Sequence, residues 1–301
     1  MELRDIEYFS VVAKHGHLGR AAEALGLSQS ALSKSLRRLE EEMRAKLVKR
    51  TPKGVEVTAE GSTLLARAHR LRLSLDDIAR EVADVSHGLA GHVRIGSGPG
   101  VSMHLLPTAC CALAQEAPNV TVSVRDVGQS DSLRAVRQGE LDLAVVAMPA
   151  EMGPELTQEH LYVDEYIVCA STAHHLAAKK QVTLADVAQE RWTVSEPSTE
   201  IYRHLHQAFE ERGLAAPRVA VETANPATRL PIVAASHILG YSWLSVVRRS
   251  ARELGLAELR IKELTSTFDV GVAYRRNGYL SPAARRFIEI LKVAAKNIVK
   301  K

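Results

Sequence analysis

A chain of 301 residues, 46% of them hydrophobic and 25% charged, carries enough apolar material for two or three folded domains. No run of 18 or more apolar residues occurs, so no membrane-spanning helix is expected. The charged start Met1-Glu2-Leu3-Arg4-Asp5 argues against a secretory leader, which makes the cytoplasm the expected compartment. Three cysteines (Cys110, Cys111 and Cys169) exclude a disulfide framework, and the formal net charge of +4 matters less than its distribution.

Ile6, Phe9, Val12 and Ala13 recur at helical spacing and predict a first helix over residues 3–14. His15-Gly16-His17 breaks it. A short second helix carries Ala21, Ala22 and Leu25 on one face. Gly26 can take the positive φ of a tight turn, and Ser28 can cap the next helix by accepting from its opening amides. That helix is predicted from Gln29 to Glu42, with Leu32, Leu36 and Leu39 turned inward. Two helices joined by a short Gly-containing turn form a helix-turn-helix. The outward stripe is then Gln29, Ser30, Ser33, Lys34 and Arg37, and these are the side-chain types that bond base edges and phosphates in a major groove.

Between Ser28 and Lys53 stand eight basic residues against three acidic ones, a local excess larger than that of the whole chain. Such a stripe is the electrostatic footprint of a polyanion partner. Leu47–Arg50 and Val55–Thr58 read as two short strands around the turn Thr51-Pro52-Lys53-Gly54. A hairpin there makes a wing with Arg50, Thr51 and Lys53 at its tip, near a phosphate backbone or minor groove.

These residues resemble the DNA-binding domain of LysR-type regulators. The matching stretches include Gly16 to Arg20-Ala21-Ala22, Leu27-Ser28-Gln29-Ser30-Ala31-Leu32-Ser33, Leu47 to Arg50-Thr51 and Val57-Thr58-Ala59-Glu60-Gly61. Ser30, Arg44 and Val48 depart from the family, which often carries Pro, Gly and Phe there. The resemblance implies base and phosphate contacts from Gln29, Ser30, Ser33, Lys34, Arg37, Arg50, Thr51 and Lys53. The partners it implies are double-stranded promoter DNA, a small-molecule effector, further copies of the chain as homodimer or homotetramer, and RNA polymerase. No cofactor, metal or membrane is expected.

From Ala59 to about His87 there is no proline. Leu64, Ala68, Leu71, Leu75, Ile78, Val82, Val85 and Leu89 alternate at intervals of four and three, an a/d heptad seam suited to pairing with a second copy of itself. Such a helix is roughly 45 Å long. Gly88 and Gly91 read as a hinge. The expected division is a winged helix-turn-helix at 1–58, a linker and dimerisation helix at 59–90 and an effector domain at 91–301.

Beyond residue 91 strands and helices alternate. His92–Gly96, Val120–Val124 and Leu141–Val146 read as strands, with helices over Met103–Ala117 and Ser132–Gln138 between them. This predicts a parallel sheet covered on both faces. A second such unit starts near Tyr166. It holds a helix over Ile201–Arg212 and another from about Thr228, and the chain returns through Phe268–Tyr274 to a closing helix from Ser281. The architecture resembles the two-lobed, periplasmic-binding-protein-like effector domain of the same regulators, with lobe 1 at about 91–162 and 268–301 and lobe 2 at about 163–267.

Ligands of such folds sit at the carboxyl ends of the strands. The loop Ser97-Gly98-Pro99-Gly100-Val101-Ser102 precedes a helix, and its amides and hydroxyls suit a carboxylate or other anion. Gln129, Ser130, Met148 and Pro149 follow strands of the same lobe, while Ser198, Thr199 and Asn225 open helices of the other. Phe268 lies at a crossover. By resemblance, these positions line the effector site.

Gly96-Ser97-Gly98-Pro99-Gly100 fits neither a nucleophile elbow nor a dinucleotide fingerprint, so no enzyme is expected. His174-His175 and His204-Leu205-His206 lack a metal-ligand pattern and read as surface histidines. The cysteines read as core residues. The alternatives are a two-lobed solute-binding protein, which would have no use for a helix-turn-helix, and a regulator that senses redox state through cysteine.

Overall fold

The computed structural model describes residues 2–52, 54–87 and 91–299. Two compact units emerge, Met1–Ala79 and Arg80–Lys301.

The first unit contains α1 (Leu3–His15), α2 (Leu18–Ala24), α3 (Gln29–Met43), β1 (Val48–Thr51), β2 (Gly54–Val57) and the start of α4 (Ala59–His87). Its core is small. Ile6, Phe9 and Val12 of α1 meet Ala21 and Ala22 of α2 and Leu32, Leu36 and Leu39 of α3. The small alanines let the helices approach closely. Gly16 ends α1 in the left-handed conformation, and its carbonyl accepts from the Val55 amide at 2.8 Å. A Cβ on Gly54 would stand 2.2 Å from that carbonyl oxygen, so the approach of β2 to the α1–α2 turn requires glycine there.

α4 is a single helix of 29 residues. The expected seam does not run its whole length. Leu64 and Ala68 pack against the core of their own unit. From Leu71 onward the apolar stripe is bare: Leu75 is 42% exposed, Val82 61% and Val85 82%. Leu89 and the expected hinge residue Gly88 lie outside the described residues, and Gly91 opens a strand instead.

The second unit is built on a nine-stranded sheet. Lobe 1 uses β3 (Gly91–Ser97), β4 (Val120–Asp126) and β5 (Leu143–Ala147), with α5 (Pro99–Ser102), α6 (Leu105–Glu116) and α7 (Gln129–Arg137). The long strand β6 (Leu156–Ser171) leads into lobe 2. That lobe contains α8 (Leu184–Val187), β7 (Arg191–Val194), α9 (Glu200–Glu211), β8 (Arg218–Glu222), α10 (Pro226–Ala234), β9 (Ile238–Trp243), α11 (Leu244–Leu254) and β10 (Leu256–Leu259). β11 (Ser266–Arg275) returns and α12 (Pro282–Val299) closes lobe 1.

The order is β4-β3-β5-β11-β6-β9-β7-β8, with β10 also on β6. The parallel pairing expected within each lobe is present, and two antiparallel crossover strands are added to it. β3 pairs parallel with β4 and β5, and β7 with β8 and β9, but β6 and β11 run antiparallel to each other and to their other neighbours. One continuous ladder therefore joins the lobes. Phe268 and Trp243 pack against the main cores of both.

Candidate nucleic-acid interface and effector cleft

α3 starts where its sequence requires. Ser28 Oγ accepts from the Ala31 amide at 3.2 Å, and Ser30 Oγ lies 3.0 Å from Ser28 Oγ. With the leucines buried, Gln29, Ser30, Lys34 and Arg37 are exposed and Ser33 is half-buried. Arg37 is held along the helix by Glu41 at 3.0 Å. Lys34, Lys49 and Arg50 have no acidic partner among the described residues. Thr51 donates to the Gly54 carbonyl across the wing at 3.4 Å. Lys53 lies outside the described residues.

Two acids not singled out in the sequence hold this face rigid. Asp5, 1% exposed, accepts from Ser35 Oγ at 2.6 Å and Arg38 Nε at 2.9 Å, which ties α1 to α3. The Arg38 guanidinium holds its carboxyl below the usual carboxylate range. Glu40 accepts from the Leu47 amide at 2.9 Å and from Lys46 at 2.8 Å, anchoring the wing to α3. Arg44, at φ 51°, is the non-glycine residue with positive φ among the described residues. The helix ends there in a left-handed turn, which explains why glycine suits that position.

In the second unit, a cleft of 470 Å³ lies at the carboxyl ends of the parallel strands of both lobes. Of the expected residues, Gly98, Gly100, Gln129, Ser130, Ser198 and Thr199 line it. Gln129 Nε2 donates to the Ala147 carbonyl at 2.6 Å, fixing its amide at the rim. Thr199 caps α9 by accepting from the Tyr202 amide at 3.3 Å.

Others stand one layer back. Val101 does not line the cleft: residues 99–102 are not an open loop but the short helix α5, which turns Val101 into the lobe 1 core at 0% exposure. Ser97 is equally buried and accepts from Ser102 Oγ at 3.1 Å, while Ser102 also bonds the Asp126 carboxylate. This pair supports the wall rather than facing the cleft. Met148 packs on the core beside Leu133 and Val146, and Pro149 follows it away from the lining. Asn225 is spent capping α10 through the Ala227 amide at 2.9 Å. Phe268 stacks behind Tyr166, ring centroids 4.3 Å apart.

The cleft gains residues that sequence reading missed. Tyr166, Arg203, Ser242 and Trp243 line it, as do the acids Asp126 and Glu200; Glu196, beside the expected Ser198, lines it too. A Cβ on Gly100 would meet the Trp243 ring at 2.8 Å, so the glycine lets wall and floor touch. Arg229, 2% exposed, also lines it. Its Nη1 donates to the Tyr241 carbonyl at 2.8 Å and its Nη2 to the Thr223 carbonyl, while its Nε has no partner. Burial pushes its pKa down to about 10. An arginine directly ahead of the apolar stretch Leu230–Val233 was the available signal.

The histidines are not all surface groups. His174 is buried, and with His175 and Glu190 it forms a group whose ligand atoms lie within 4.8 Å of one another. His174 Nδ1 already accepts from the Leu176 amide at 3.2 Å, which leaves the ring proton on Nε2, facing Glu190 at 3.7 Å. That tautomer suits an imidazole N–H pointed at a carboxylate better than a metal ligand. His204 is half-buried against the Tyr241 hydroxyl. Cys169 is fully buried in the lobe 2 core, and burial raises its thiol to about 12, whereas Cys111 is exposed, contrary to the core reading.

Residues 3–62 match the family of bacterial regulatory helix-turn-helix proteins of the lysR type. Residues 86–296 match the LysR substrate-binding domain. The chain belongs to the LysR family. It is a transcriptional regulator with a helix-turn-helix and an effector-binding domain. This LysR-type regulator is similar to the HTH-type transcriptional regulator ShiR of Corynebacterium glutamicum, with 33% identity over 241 residues that cover 78% of this chain and 80% of ShiR. The SDS degradation transcriptional activation protein of Pseudomonas sp. is 30% identical over 292 residues, covering 94% of this chain and 93% of that one. The fold matches that of full-length CbnR in complex with its target DNA, with a TM-score of 0.61 at 19% identity over 98% of this chain and 100% of CbnR. A mutant of Corynebacterium glutamicum OxyR gives 0.58 at 23% identity, covering 99% and 94%. Among the described residues, no helix is long and apolar enough to cross a membrane.

Proposed function

We propose that this regulator binds promoter DNA as a dimer or tetramer through α3 and the wing, and that a small molecule in the inter-lobe cleft biases its activity. The carrying observation is the exposed stripe Gln29, Ser30, Lys34 and Arg37 on a helix whose opposite face is fully committed to the core. In the groove, α3 reads base edges while Arg50, Thr51 and Lys53 meet phosphates. Residues 1–58 serve as the reading head, 59–90 as linker and 91–301 as the sensor.

The bare stripe Leu71, Leu75, Ile78, Val82 and Val85 supports self-association along α4, which brings two heads to two half-sites. The buried Arg229 and the exposed Arg203 favour an effector with an anionic group, and Asp126 and Glu196 can take a cationic end. At the other end of the sensor, Arg80 of α4 bonds Asp142 at 2.7 Å and Tyr279 bonds Asp84 of α4 at 2.9 Å. The base of lobe 1 thus grips the last turns of the linker. An effector acts only through better binding to one arrangement than another. The redox alternative is disfavoured, because Cys169 is held as a buried thiol and Cys110 and Cys111 are neighbours on one helix.

The test is titration of full-length protein onto promoter fragments over a range of salt. Arg37→Ala is expected to weaken operator binding by about 1–3 kcal/mol if Arg37 reads a base. Unchanged affinity would reassign the reading face, and indifference to every promoter fragment at low salt would overturn the whole proposal.

A further inference from the structure

A second cavity, 760 Å³ in volume, shares no lining residue with the cleft. It lies among the start of α6, the crossover strand β6, α11 and the end of α12. Ligand cavities for small molecules fall in this size range.

An account of its polar groups leaves a one-sided remainder. Asp164 is satisfied by the Ser245 hydroxyl at 2.5 Å and by the amides of Glu165 and Ser245 at 2.8 and 3.2 Å. Glu165 is paired with Arg260 at 3.1 Å, and Arg248 with Glu258 at 2.8 Å. Arg249 and Arg252 stand one helical turn apart on α11 with no acidic partner among the described residues. His104 is 5% exposed and Tyr162 2%, yet both His104 ring nitrogens and the Tyr162 hydroxyl lack hydrogen-bond partners. Buried polar groups in folded proteins are normally satisfied, so two in one cavity call for an occupant. The unspent charge is therefore two cations, and beside them stand two buried groups able to donate. Thr108 donates to the His104 carbonyl at 3.1 Å, Thr267 and Asn297 add neutral polar groups, and Leu105, Val163, Leu244, Ala294 and Ile298 are the apolar walls. Val163 is 53% exposed, an unusual state for a valine inside a sheet.

We propose that this cavity is a second small-molecule site of the regulator, built for a carboxylate with an apolar body. The carboxylate would meet Arg249 and Arg252, with His104 and Tyr162 donating, and the body would lie on Val163, Leu244 and Ile298. The inference is independent of the DNA-binding reading, since neither the cavity nor its test involves DNA.

The test is calorimetric titration of the full-length chain with octanoate, octan-1-ol and inorganic phosphate as probes. Octanoate is expected to bind one-to-one with each protomer. Octanol should bind at least roughly tenfold more weakly, having lost the charge-assisted bonds, and phosphate should not bind measurably. Arg249→Ala combined with Arg252→Ala removes two exposed side chains. It should leave the melting temperature unchanged and weaken octanoate by a similar factor. Tyr162→Phe should weaken it by less, and Arg203→Ala, in the cleft, should leave it intact. The proposal is overturned if octanoate does not bind, if octanol binds equally well, if the double variant binds as before, or if Arg203→Ala abolishes binding. It is also overturned if the double variant changes only the sedimentation behaviour, since the groove would then be a contact between copies.

Discussion

Acidification probes how His104 is buried. His104 is 5% exposed with no partner on either ring nitrogen. Burial, helped by the Arg249 charge, pushes its pKa from 6.5 down to about 4. The folded value lies below the unfolded one, so the unfolded chain takes up the proton first. The stability contributed by the neutral ring is complete above pH 6.5 and is lost as pH falls towards 4. At about 1.4 kcal/mol per pH unit the loss amounts to about 3 kcal/mol, with about 2 of it reached by pH 5. Trp192 and Trp243 are the two tryptophans of the chain and both belong to the second unit, so their fluorescence follows that unit alone. Urea unfolding at about pH 7.5 and 5 should show His104→Leu losing about 2 kcal/mol less than the parent. Parallel losses in the two proteins would refute the reasoning.

In the first unit, Asp5→Ala leaves Arg38 and Ser35 without their buried acceptor. It should destabilise the reading head by about 3 kcal/mol, read as lost amide-exchange protection in α1 and α3. Because Arg38 holds the Asp5 carboxyl below its usual range, the parent's advantage should fade as pH drops below about 4. Arg44→Gly relieves a left-handed residue and should stabilise the same unit by about 0.5–1 kcal/mol, measured in the same way. Leu75→Lys combined with Val82→Lys should yield a monomer by sedimentation velocity; an unchanged assembly would remove α4 from the contact. Gly100→Ala drives a methyl into the Trp243 ring and should cost the second unit about 1–3 kcal/mol in urea, with a shifted tryptophan emission.

The reading head was legible because every local signal agreed. Leucine spacing, Gly26 and the Ser28 cap each pointed to the same helix boundaries, and α3 starts at Gln29 as expected. Asp5 and Glu40 were invisible, since a buried acid looks like a surface acid until its partners are folded against it. In the sensor, the sequence points to a strand starting near Tyr166, whereas β6 starts at Leu156. The segment Leu156–Val163 alternates with charged and polar residues that pair across to β11 instead of entering a core. α11 follows β9 without a breaker between Trp243 and Leu244, so its periodicity merged with the strand. The predicted helix over Met103–Ala117 starts instead at Leu105, after His104, and a separate α5 occupies 99–102. That break is what turned Val101 inward. Arg229 could not be assigned to the cleft because its role depends on Tyr241 and Thr223, both outside its own helix.

The paired strands β6 and β11 limit how the sensor can respond. From Ser266–Tyr166 to Arg275–Leu156 they are bonded to each other, with a single slip in register at Val270–Gly271. A ribbon of this kind can wind or unwind by a few degrees, but it cannot shear without breaking a row of backbone bonds at once. A change in how the lobes sit against each other is then a twist of this ribbon rather than a slide along it, and the register slip at Val270–Gly271 is the one interruption of its ladder.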